Sequence, residues 1–161
     1  MKKLMTILLS LSMLLALSAC GSNSNTAEAP DLDQFYTDFM ASLKEDNAPA
    51  MMDANEDESY VETFFPGLND VELKQSVLQM AMISAVGFEM DLVECANADD
   101  VETVKEIFQA RIDSQVNGGA WYPETTAAWE AADLLVNGNV VALIVAGEYQ
   151  SDAVEAFNNL F

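Results

Sequence analysis

Apolar positions along this chain change their spacing several times, and each change marks an element. Leu32, Phe35, Phe39 and Leu43 recur at helical spacing, with Tyr36 and Met40 widening the stripe. Pro30 and Asp31 stand where that helix would open, Asp31 as its N-cap, so residues 31–45 are expected to be helical. The acidic stretch KEDNAPAMMDANEDESY carries no clear period, and FFPGL at 64–68 reads as a helix end or turn packed back on the domain.

From Leu73 the period becomes two. Leu78, Met80 and Met82 fall on one face of an expected strand, Val77 and Gln79 on the other. Val86, Phe88, Met90 and Leu92 alternate with Gly87, Glu89 and Asp91, the pattern of a half-buried antiparallel strand. Residues 99–117 then return to helical spacing, capped by Asp99 or Asn97 and stopped by Gly118-Gly119. LLVNGNVVALIV reads as a hairpin whose Asn137-Gly138 pair suits a type I′ turn. A last helix runs from Tyr149 to Leu160, with Val154, Phe157 and Leu160 or Phe161 inward. Strand, strand, helix, twice over, predicts an α+β fold: a four-stranded, mainly antiparallel sheet with helices on one face, plus the N-terminal helix.

The beginning of the chain has a different logic. MKK, then LMTILLSLSMLLALSA, then a small-residue close is the order of a secretory signal peptide. Leu17-Ser18-Ala19-Cys20 resembles the lipobox of bacterial lipoproteins, which implies removal of residues 1–19 and a lipid on Cys20. GSNSNTAEAP reads as a flexible tether, so the expected organisation is signal peptide 1–19, tether 20–30 and one α+β domain over 31–161. No later stretch approaches the ~20 apolar residues of a bilayer-spanning helix. The expected location is thus the outer face of a cell membrane, lipid-anchored and extracytoplasmic, in a Gram-positive type of envelope.

Charge narrows the partners. The chain holds 27 acids against 6 Lys and Arg, a net charge of −21, and loses Lys2 and Lys3 with the signal. Nucleic acid is excluded as a partner, because phosphate recognition needs clustered cations. With no histidine present, Ser-His-Asp catalysis and most zinc sites are ruled out. Cys95, the only cysteine after Cys20, is expected to be a small buried hydrophobe. DANEDE at 53–58 departs from a calcium loop at Glu58, where glycine belongs, and at Phe64, where glutamate belongs. No catalytic residue, metal site or cofactor is expected.

Candidate chemistry centres on residues 111–129. Around the helix at 99–117, Val101, Val104, Phe108 and Ile112 form the apolar stripe, and Arg111 and Gln115 project beside it. An inward guanidinium needs a partner. Glu124 or a strand acid such as Glu89 could form an internal ion pair with it, or Arg111 could clamp an anionic ligand. NGGAWYPETTAAW follows, with Trp121, Tyr122, Glu124 and Trp129. Tyr122 and Trp129 are expected to insert beside the sheet as a core lid; the alternative is an aromatic shelf for a sugar, peptide or cationic group.

FQARIDSQVNGGAWYPETTAAW, followed by VNGNVVALIV, resembles the small bacterial lipoproteins of domain of unknown function 4358. FFPGL, Leu73-Lys74-Gln75 and the terminal AFNNLF extend the resemblance over about Phe64 to Phe161. It implies an address and a domain type, and no activity, cofactor or catalytic residue. The expected function is a membrane-anchored binding or interaction module of the cell envelope, facing a protein partner or small ligand. A carboxylate-dependent envelope enzyme and a structural subunit of an envelope complex are the alternatives.

Overall fold

The computed structural model describes residues 29–43 and 48–161. The expected signal peptide, the lipidated Cys20 and the tether as far as residue 28 lie outside the described residues, as does the expected close of the first helix at 44–45.

Five strands form one antiparallel sheet: β1 (Met51–Asp53), β2 (Leu73–Ala81), β3 (Glu89–Cys95), β4 (Asp133–Asn137) and β5 (Val140–Val145), in the order β1-β2-β3-β5-β4. The α+β class is as expected, but the described residues hold five strands, not four. The additional strand, β1, comes from the stretch without a period, where three residues are too few to show one.

Among the described residues five α-helices cover this sheet on both faces, which corrects the expectation of helices on one face. On one side α1 (Leu32–Ser42) and α5 (Gln150–Asn158) bring Leu32, Phe35, Phe39, Ala153 and Phe157 onto Val77, Met90, Leu92, Ala142 and Ile144. On the other, α2 (Glu58–Phe64), α3 (Val101–Ser114) and α4 (Pro123–Glu130) add Val61, Val104, Phe108 and Trp129 to Leu78, Met80, Val93 and Leu143. The physical reason stands in β5: Val140 to Val145 is apolar at every position, so neither face of that strand tolerates water. Each Phe or Leu fully withdrawn from water contributes ~1.5–3 kcal/mol, and both cores hold several.

The central strand departs furthest from its pattern. Alternation through Gly87, Glu89 and Asp91 predicted a half-buried strand, yet every residue of β3 is buried, Glu89 and Asp91 included. Val86 and Phe88 precede the strand, and Met82 lies beyond the end of β2, exposed. The hairpin turn also sits one residue further on. Asn137 pairs with Val140, leaving Gly138 (φ +57°) and Asn139 as the turn. Moving the turn by one residue slides the partners by two, which keeps every side chain on its own face, so alternation alone could not choose between the two registers.

Asp31 does cap α1, accepting a hydrogen bond from the Gln34 amide. A 3-10 turn, Ala98–Asp100, runs directly into α3 with Asn97 at its N-cap position, as expected, while Asp100, not Asp99, holds the N-cap position of α3 itself. Neither side chain accepts a capping hydrogen bond, and Asn97 Nδ2 donates to the Asp100 carboxylate. In α5 Phe157 is buried, Val154 and Leu160 are half-buried, and Phe161 remains exposed with its ring 5.3 Å from that of Phe157. Among the described residues no helix is long and apolar enough to cross a membrane.

Candidate functional site

At the end of the sheet where β2 finishes and β3 begins, a cleft of about 320 Å³ opens between the 82–88 loop, the end of α3 and α4. Arg111, Gln115 and Trp129, three of the residues singled out in the sequence, line it together with Glu89 and Thr125.

Arg111 reaches the cleft because it sits one turn past Phe108, whose burial turns that side of α3 to the sheet. Its Nε donates to Glu89 Oε1 and its Nη2 to Glu89 Oε2, both at 2.8 Å. The side chains are only 9% and 3% exposed. Aromatic rings enclose the guanidinium: its carbon lies 5.2 Å from the Phe64 ring centroid, 5.2 Å from Trp129 and 6.0 Å from Phe65. Burial works against the charge, but the Glu89 hydrogen bonds and charge prevail and hold the Arg111 pKa above its usual value. The internal ion pair is therefore present, with Glu89 as partner and not Glu124. The cation received by the aromatic residues is the protein's own.

Asp91 adds an acid that sequence reasoning missed. It follows Glu89 by two positions on β3, on the same face, and is completely buried. Neither carboxyl oxygen receives a well-formed hydrogen bond, and the Glu89 side chain beside it is the group to which a protonated Asp91 would donate. Burial first, then the neighbouring Glu89 charge, push its pKa well above the carboxylate range, with Arg111 opposing. The neutral acid is the form this place favours. The missed signal was the apolar run of β5 beside it, which calls for a fully covered central strand.

After α3 the chain makes a five-residue π-turn, Gln115–Gly119, closed by the Ala120 amide donating to Gln115 O at 2.9 Å. Gly118 adopts φ +129°, which a residue with a Cβ rarely reaches. The Gln115 side chain lies over Gly119, where a Cβ would come within 2.8 Å of its Nε2. Gln115 makes no side-chain hydrogen bond among the described residues.

The aromatic segment divides in two. Trp129, on α4, is 4% exposed and part of the core, as expected. Tyr122 was expected to insert as well, but it is half exposed, and Trp121 is 82% exposed. Pro123 starts α4 directly after Tyr122, so the helix begins before either ring can turn inward. Both rings therefore stand on a loop running between two cleft-lining residues, Gly119 and Thr125. Glu124 lies outside the cleft, in an adjoining hollow with Glu148 that shares Val86, Phe88 and Thr125 with it.

Other polar groupings are satisfied internally. At the opposite end of the sheet Glu94 accepts hydrogen bonds from Lys74 and Gln75, both at 2.9 Å. Burial raises its pKa, but those partners outweigh burial and hold it low. Gln75 also clasps the incoming chain, donating to Pro30 O and accepting from the Leu32 amide. Cys95 is buried, and burial with the Asp100 charge pushes its thiol pKa up, away from reactivity. No group of three or more metal-ligating side chains occurs among the described residues.

A family model described as Domain of unknown function (DUF4358) matches residues 36–146, more than half the chain and all of the cleft's lining. No curated protein and no solved structure matches the chain.

Proposed function

The chain belongs to the DUF4358 family, and from that premise we propose that it is a lipid-anchored, extracytoplasmic binding module that holds an envelope partner at the cleft end of its sheet. One observation carries this reading: the cleft's margin is apolar and exposed. Met82 and Ile83, which line the cleft, are 65% and 62% exposed, and Trp121 and Tyr122, on the stretch of chain between the cleft-lining Gly119 and Thr125, are exposed as well. Large apolar side chains left in water around a cleft mark an interaction site. The chain enters the fold at the other end, where Gln75 clasps Pro30, about six strand residues or roughly 20 Å from that margin. A tether beginning there would leave the cleft directed away from the membrane.

Carboxylate catalysis draws no support from this arrangement. Glu89 is committed to Arg111, and Asp91 has no exposure through which to meet a substrate.

The test has two arms. Metabolic labelling with a fatty acid should mark the protein, and Cys20→Ser should abolish the label. A photo-crosslinking residue at Ile83 should capture a defined membrane partner, while one at Asn139, at the opposite end, should not. Absence of acyl label overturns the anchor. Equal capture from both positions, or from neither, overturns the cleft as the binding face.

A further inference from the structure

Resting on that reading, we infer that the cleft receives an apolar side chain of an extended, basic peptide segment, whose main-chain carbonyl accepts hydrogen bonds from Arg111 and Gln115.

Two residues of the lining supply the donors. Arg111 spends Nε and Nη2 on Glu89, and its Nη1 has no protein partner among the described residues. The Gln115 amide, seated over Gly119, is likewise uncommitted. Because Glu89 and Arg111 cancel one another's charge, these donors suit a neutral carbonyl better than a carboxylate, which would face Glu89 as well. The walls are apolar and adaptable: Met52, Met80 and Met82 line the cleft with Ile83, Val86 and Phe88. Methionine thioethers reshape around different side chains, so the site selects an apolar group without specifying one.

Charge selects what flanks it. Each of the three described cations is already paired, Lys74 with Glu94, Lys105 with Glu102 and Arg111 with Glu89. The remaining surface acids are thus without balancing cations among the described residues, in a chain of net charge −21. Glu124 and Glu148 are exposed in the hollow that shares a wall with the cleft. A Lys or Arg next to the inserted side chain would find both carboxylates there, and an acidic segment would be repelled.

The experiment titrates the full chain by calorimetry with three short peptides: Lys alternating with Leu, Lys alternating with Ser, and Glu alternating with Leu. The Lys-Leu peptide should bind about tenfold or more tightly than either control. Ile83→Asp, Gln115→Ala and the pair Glu124→Gln with Glu148→Gln should each weaken it about tenfold. Ile83, Glu124 and Glu148 are exposed, so an unchanged urea midpoint will show that those variants fold. Equal binding of the Lys-Ser peptide, or wild-type affinity in Ile83→Asp, overturns the inference. If no peptide binds while Ile83 still crosslinks a membrane partner, this inference fails and the binding module stands. If Ile83 captures nothing, the binding module fails.

Discussion

Gly87 lies so close beneath α4 that a Cβ built on it would come within 2.5 Å of the Ala128 Cβ and 3.3 Å of the Thr125 Cα. The loop that forms one side of the cleft is thereby pressed against the helix that forms another, and only a residue without a side chain permits it.

Gly87→Ala should therefore destabilise the fold by ~1–3 kcal/mol, the usual cost of overfilling a packed contact. Because Ala128 supplies the nearest atom, Gly87→Ala with Ala128→Gly should recover part of that loss. Urea denaturation of wild type, both single variants and the double variant measures the coupling; additive losses would show that the contact is not the cause.

Removing Arg111 leaves Glu89 as a buried carboxylate without a partner. Arg111→Met should cost ~3–5 kcal/mol, and Glu89→Leu in the same chain should return most of it, because the pair's value lies largely in mutual neutralisation. A double variant no more stable than Arg111→Met would mean that the Phe64 and Trp129 contacts, not the charge, hold the arginine in place.

Asp91 makes stability depend on pH in a defined sense. Its folded pKa is raised, so its contribution is complete below the unfolded value of about 4 and is lost as pH rises toward the folded value. The loss accumulates by at most about 1.4 kcal/mol per pH unit. Asp91→Asn cannot ionise and should match wild type in its pH response below about pH 4, then gain on it steadily above. Parallel stability curves for the two proteins from pH 4 to 8 would contradict a protonated Asp91.

The two tryptophans should report opposite environments. Trp129→Phe leaves only Trp121, whose emission should be red-shifted and readily quenched by acrylamide; Trp121→Phe leaves a blue-shifted, protected Trp129. Protected emission from Trp121 would mean that something covers the loop before α4 in solution.

Much of this was legible because it is local. Helical geometry alone turned Arg111 inward, and Glu89 was one of the two partners named for it, beside Glu124. The period of α1 and its Asp31 cap were equally plain. Burial of Asp91 was not, because an acid alternating with apolar residues looks the same on an edge strand and on a central one. Only the pairing of β3 with both β2 and β5, together with cover by helices on both faces, decides between them. The exposure of Trp121 and Tyr122 also escaped the sequence. Large aromatic rings are read as core, and it is the start of α4 at Pro123 that keeps these two outside.

The Gln75 clasp has a mechanical consequence. Tension arriving along the chain from its N-terminal side reaches the sheet first at Pro30 and Leu32, through one amide side chain. That clasp is the fuse: once it yields, α1 can peel from Val77 and Phe157 while α2, α3 and α4 stay seated on the opposite face. A molecule hung by its N-terminus would lose its outer cladding under load before it loosened its grip at the cleft.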